Sequence, residues 1–175
     1  LPELANETRL DALCTLEADL MLPVDPMTRV AAALRDQESA KALARRLKLS
    51  NEERDRLVAT LGDEVKLTSY MSLREMRRAI YRIGNEAFRD RVMLAWAGAG
   101  GEKAQQWRAL VAHGQMWHAP KLPLTGDEVM KAGVPAGPKV GLVMREVEEW
   151  WVDADFPDDK LSVIERLKAV AQGLA

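Results

Sequence analysis

The stretch SLREMRRAIYRIG, Ser72 to Gly84, reads as a helix from its first residue to its last. Ser72 followed three residues later by Glu75 is a capping-box pair, in which each side chain satisfies a backbone N–H that the helix leaves open. At about 100° per residue, Leu73, Met76, Ala79, Ile80 and Ile83 fall into one arc, and Arg74, Arg77, Arg78 and Arg82 gather on the opposite side with Tyr81 among them. Four guanidinium groups around an aromatic ring suit phosphate contact with base or sugar stacking. The same pattern also fits a solvated arginine face paired with neighbouring glutamates, and spacing does not separate the two.

Working outward, helical spacing recurs almost everywhere, while alternating strand patterns and paired β-turn signals are absent. The sequence predicts an all-α fold, an irregular array of about ten helices near residues 6–20, 26–34, 36–48, 51–62, 72–83, 86–98, 103–117, 126–132, 138–152 and 158–172. Pro23 and Pro26 separate the first two, Ser50 caps the helix that holds Glu52 and Glu53, and the GAGG segment from Gly98 to Gly101 ends the Trp96 helix. Pro120 and Pro123 mark the one stretch that resembles a linker, which divides the chain into a helical body, residues 1–120, and a helical tail, residues 121–175, packed together as one unit.

The tail contains KAGVPAGPKVG, Lys131 to Gly141. Thr125 caps a short helix with Asp127 and Glu128 in its first turn, Gly133 suits the position just past its end, and Pro138 fits the first position of the next helix. That next helix carries one apolar stripe through Val140, Val143, Met144, Val147 and Trp151. A C-terminal helical hairpin follows. Its turn has two readings: close packing of one helix on the other, or a phosphate held at the second helix's N-terminus by free N–H groups with Gly133, Gly137 and Lys139 alongside. The pattern lacks the G-K-[ST] ending of a P-loop, which argues against nucleotide binding there.

Composition narrows the classes further. At 175 residues the chain supports one ordinary core or two small helical subdomains. Cys14 is the only cysteine, which rules out intrachain disulfides and cysteine-based zinc sites and suits a reducing, cytoplasmic compartment. No apolar run approaches the roughly 20 residues that cross a bilayer, so no membrane association is expected. The chain begins at Leu1 rather than Met and enters a helical pattern almost at once, as a segment of a longer protein would. Net charge is only −2, but residues 66–91 hold seven basic against three acidic residues, and residues 142–159 hold one basic against seven acidic. A polyanion would bind the middle of the chain. A second basic strip, Lys41, Arg45, Arg46 and Lys48, needs no more than ordinary helix solvation.

Catalytic chemistry is sparse. His113 and His118 stand five apart, out of phase for a helical zinc pair, and read as surface or helix-end residues. Asp153, Asp155, Asp158 and Asp159 read as an acidic junction between helices rather than a cation site, and Trp107, Trp117, Trp150 and Trp151 with Met116 and Met144 read as packing. No carboxylate pair, nucleophile with its base, or phosphate cradle assembles, so neither catalytic nor metal-binding residues are assigned.

Four stretches taken together resemble the C-terminal half of bacterial CCA-adding tRNA nucleotidyltransferases, a family also called poly(A) polymerase-like. They are DPMTRVAAAL (25–34), LKLSNEERDRL (47–57), RRAIYRIGNEAFRDRVMLAWA (77–97) and LPLTGDEVMKAGVPAGPKVGLVMREVEEWWVDADF (122–156). The last is the most specific. The resemblance implies an N-terminal head whose aspartates bind two metal ions, a neck that reads CTP or ATP, and a body and tail that grip the tRNA. This chain corresponds to the body and tail only. The head's aspartate pair and glycine-serine signature, and the neck's Glu-Asp-x-x-Arg motif, do not occur in it, so Mg and CTP or ATP belong with the absent head and neck, which would be this chain's partners along with tRNA.

The resemblance favours the phosphate reading of Arg74, Arg77, Arg78, Tyr81 and Arg82, and places the Gly133–Gly137–Lys139 turn in a tail that supports RNA without reading its bases. The expectation is an RNA-binding domain with no catalysis of its own, in a parent that adds CCA, part of CCA, or poly(A). Two rivals stay open: a helix-hairpin-helix module that binds duplex DNA as readily as tRNA, and a structural or protein-partner domain with no salt-sensitive RNA binding.

Overall fold

The computed structural model describes residues 3–100 and 102–173. Its regular elements are α1 (Glu7–Asp19), α2 (Pro26–Ala33), α3 (Gln37–Leu47), α4 (Asn51–Thr60), α5 (Leu73–Ile83), α6 (Asn85–Gly98), α7 (Ala104–Met116), α8 (Gly126–Lys131), α9 (Pro138–Asp153) and α10 (Lys160–Gly173). No strand occurs among the described residues, where the β-type pairing is an isolated antiparallel bridge between Leu4 and Leu34. The all-α array holds. No helix of the described residues is long and apolar enough to cross a membrane.

Local chemistry sets the helix starts. Ser50 with Glu53, Ser72 with Glu75, and Thr125 with Glu128 form reciprocal capping boxes. Asp36 and Ser39 form a fourth at α3, a pairing the usual Ser/Thr-to-Glu/Gln pattern does not flag. The Asp25 carboxylate accepts from the Met27 and Thr28 amides at the start of α2, whose first residue is Pro26. At the end of α6, Ala99 is the C-cap and Gly100 has φ +63°; Gly101 lies outside the described residues.

The chain forms two compact units, Leu1–His118 and Ala119–Ala175. In the first, α6 is the central helix, packing on α1, α2, α4, α5 and α7. Phe88, Val92, Met93, Trp96 and Ala97 of α6 join Leu13 and Leu16 of α1, Met76, Ala79 and Ile80 of α5, and Trp107 and Leu110 of α7 in one core. Helix α7 approaches closely because position 114 is glycine: a Cβ there would stand 2.8 Å from the Phe88 ring. Asn85 closes the same contact, donating to the carbonyls of Gly114 (2.5 Å) and Trp117 (2.7 Å) at the C-terminal end of α7. A smaller cluster of Ala31, Leu34, Ala40, Leu43 and Leu57 joins α2, α3 and α4.

In the second unit, α9 packs on α8 and α10. Val143, Val147 and Trp151 of the expected stripe are buried with Val129, Val163 and Leu167, and Val140 and Met144 are half-buried at its margin. Trp151 donates through Nε1 to the Pro157 carbonyl (2.8 Å) and meets Phe156 edge-on at 5.0 Å. Two assignments of the sequence reading change. Leu73, placed in the apolar arc of α5, is 52% exposed because it is the first helical residue and overhangs the core. Met116, read as packing, is 77% exposed at the last position of α7.

Candidate nucleic-acid interface

Burial of Met76, Ala79 and Ile80 fixes the rotation of α5, and with it the direction of the arginine face. That face splits in two. Arg74 and Arg82 are exposed, whereas Arg77, Arg78 and Tyr81 are half-buried and already have interaction partners.

Beside Arg78 and Arg82 lies a cavity of about 370 Å³ between α5 and residues 64–71. Arg91, buried on α6, anchors its far wall by donating to the Val65 carbonyl (2.6 Å) and the Glu64 carboxylate (3.1 Å). The two carboxylates that border the cavity are thereby committed to internal partners. Glu64 pairs with Arg91, and Glu75 accepts from the Ser72 amide and hydroxyl, both at 2.8 Å, bonds that hold its carboxyl below the usual range. Lys66 and Arg82 enter no ion pair among the described residues. Tyr70 stands at the rim, 78% exposed, with the Lys103 ammonium 6.0 Å from its ring centre. The arrangement offers exposed cations and an aromatic face on a braced wall, the combination that takes a phosphate and a stacked base.

The tail turn serves backbone geometry. Ala132 ends α8, and Gly133 follows at φ +97° with its N–H donating to the Met130 carbonyl (3.0 Å). Gly137 precedes α9 at φ +132°, and Pro138 takes the first helical position. A Cβ at Gly133 or Gly137 would meet nothing within 4 Å, so both are glycine for their dihedrals, and close packing of helix on helix is not the reason for them. Lys139 is exposed at the start of α9.

Three of the stretches that carry the family resemblance converge somewhere else, on a buried polar network that spacing did not reveal. Asp90 of α6, 1% exposed, accepts from Arg56 of α4 (2.7 and 3.0 Å), from Thr28 of α2 (2.7 Å) and from Arg89 (3.2 Å). The Asp25 carboxylate completes the network, 2.7 Å from Arg56 and 2.6 Å from Arg89. Burial pushes Asp25 up, but Arg56 and the Met27 and Thr28 amides outweigh it and hold the carboxyl below its ordinary value. Burial likewise opposes the Arg56 charge, and its bonds to Asp90 and Asp25 reverse that and raise it. These residues join α2, α4 and α6. Arg89, half-buried in this network, and Arg91, buried against Val65 and Glu64, are thus both engaged within the fold, although they contribute to the basic excess of the middle segment.

Other candidates take ordinary places. His113 and His118 are exposed, Lys41 pairs with Glu38 (2.7 Å), Arg46 pairs with Glu3 (2.9 Å), and Asp159 accepts from the Leu161 and Ser162 amides in the first turn of α10. Among the described residues no three His, Cys, Asp or Glu side chains gather to hold a metal ion.

Comparison with known proteins agrees with the stretches quoted from the sequence. CCA tRNA nucleotidyltransferase 1, mitochondrial, is similar in its mouse form, 25% identical over 149 residues, and in its human form, 24% identical over 149 residues. Each alignment covers 82% of this chain and 32% of the relative, so the chain spans about a third of the length of the curated relatives it matches. An uncharacterized 28 kDa protein in the petA 5′ region of Rhodospirillum rubrum is 34% identical over 77 residues, 40% of this chain and 30% of that protein. The family model described as tRNA nucleotidyltransferase domain 2, putative, matches residues 27–167, well over half of the chain, and the chain belongs to that family.

Proposed function

We propose that this chain is the RNA-gripping part of a CCA-adding tRNA nucleotidyltransferase, holding tRNA by phosphate and shape while a head and neck outside this sequence bind Mg and CTP or ATP and carry out the transfer. The family match and the mouse and human relatives support the enzyme class. The observation that carries the RNA role is the cavity beside α5, where exposed Arg82, Lys66 and Tyr70 surround a wall whose carboxylates are already engaged. Arg74, about two turns from Arg82 toward the start of α5, is exposed as well and adds a further cation. A cytoplasmic setting belongs to the same proposal and rests on the single, half-buried Cys14.

The test is tRNA binding by fluorescence anisotropy. Arg74→Glu with Arg82→Glu should weaken binding and reduce the slope of log K against log salt by roughly one to two, because each lost phosphate contact removes about 0.7–0.9 released counterions. Lys41→Glu with Arg45→Glu on α3 should change neither beyond a small long-range effect. A folded Arg74/Arg82 variant that binds like the parent returns the face to ordinary solvation. Incubated with tRNA, CTP, ATP and magnesium, the chain alone should extend nothing.

A further inference from the structure

A second cavity, of about 240 Å³, lies in the first unit where α1, the turn before α3, the end of α4 and the middle of α6 meet. We infer that it is a binding site for a tetrahedral oxyanion of the phosphate class, held by Arg9, Arg35 and the Thr60 hydroxyl against the Arg91 guanidinium. Three arginines line it and no carboxylate does. The nearest acid engaged with them is Glu64, which Arg91 holds at 3.1 Å, and Asp36, next to Arg35, is committed to the Ser39 amide at 2.9 Å. Three guanidinium charges therefore have two carboxylates beside them, Glu64 on Arg91 and Asp36 next to Arg35, both already engaged with partners of their own.

Arg9 and Arg91 are positioned by the fold before any ligand arrives. Arg9 donates Nε to the Ala32 carbonyl (2.9 Å) and Nη2 to the carbonyls of Ala31 (3.0 Å) and Leu34, satisfying the C-terminal end of α2. Those bonds orient the guanidinium and leave Nη1 uncommitted. The α2 dipole offsets only about half a charge, and burial pulls the Arg9 pKa down without a carboxylate to restore it. Arg91 is fixed in the same manner by the carbonyls of Val65 and Ala59. Arg35 is exposed and free to swing over the opening. Thr60 is 4% exposed, and its Oγ1 has no hydrogen-bond partner among the described residues. A buried hydroxyl without a partner is rare in folded proteins, and Thr60 is one of the residues that line this cavity with its excess of positive charge. An oxyanion supplies what all three lack, namely acceptor oxygens for Arg9 Nη1, for Arg35 and for Thr60, with charge to match.

The site is independent of the RNA reading, because inorganic phosphate alone probes it. In thermal-shift and calorimetric titrations of the 175-residue chain, phosphate should raise the melting temperature saturably, above chloride at matched ionic strength and pH. Arg35→Ala and Thr60→Val should each weaken phosphate by about tenfold or more, the loss of one charge-assisted hydrogen bond. Without phosphate neither variant should melt below the parent, since among the described residues the Arg35 side chain makes no hydrogen bond or ion pair and valine replaces an unbonded hydroxyl with a methyl. Repeating the titration with tRNA bound separates two sources of the anion: competition assigns the site to a backbone phosphate, and independent binding assigns it to a free anion. A parent chain that responds to phosphate no more than to chloride, or variants that bind phosphate like the parent, would overturn the inference.

Discussion

Asp90 ties α6 to α4 and α2 through Arg56 and Thr28. In the sequence it is one of three acids in a basic segment, yet it is buried on the central helix and accepts hydrogen bonds from three other residues. Arg56 and Asp90 face each other from helices far apart in the chain, so no local spacing announces the pair; an aspartate among Phe88, Val92 and Trp96 is the only local hint. Asp90→Ala should cost about 3–5 kcal/mol in urea denaturation, because it leaves the Arg56 charge partly buried with Asp25 alone. Asp90→Leu combined with Arg56→Met should cost less than Asp90→Ala, since removing both charges avoids the desolvated remainder. A single variant as stable as the parent would mean the network does not hold α2, α4 and α6 together.

At the scale of elements, the sequence is read more easily. Caps and 3.6-residue periodicity located every helix to within a few residues, because both are encoded by neighbours in the chain. The tail turn is legible for the same reason, and Gly133 and Gly137 both stand at positive φ, as a helix stop and a helix start there require. Gly133→Val should cost about 1–3 kcal/mol, the strain of a β-branched residue in that region. Pro138→Ala should lower stability only slightly, through the freedom it returns to the unfolded chain. Thermal melts of the two variants check the order, and Gly133→Val melting with the parent would refute it. What the element scale concealed was the division of the α5 face. Spacing put Arg77, Arg78 and Tyr81 with Arg74 and Arg82, but only the packed structure shows which are already engaged.

Across the molecule, depressed carboxylates predict the response to acid. Glu128 is held at about 2 by the Lys160 ammonium, 2.6 Å away, and by the Thr125 amide and hydroxyl, well under its ordinary 4.5. Its folded value lies below its unfolded one, so the stability it contributes is present above about 4.5 and is lost as pH falls toward 2. Asp25 and Glu75 are shifted in the same direction. Melting temperature should therefore fall with pH through this window, and Glu128→Gln should flatten the part of the fall that belongs to the second unit. A Glu128→Gln variant with the parent's pH profile would show that the Lys160–Glu128 pair does not set the acid response.

The proposed grip on tRNA through its phosphates has a direct signature in salt dependence. With three phosphate contacts from Lys66, Arg74 and Arg82, log K for tRNA should fall linearly with log salt, with a slope of roughly −2 to −3, and duplex DNA of equal length should bind more weakly at every salt concentration. Binding that is absent or indifferent to salt, or duplex DNA bound as tightly as tRNA, would contradict it.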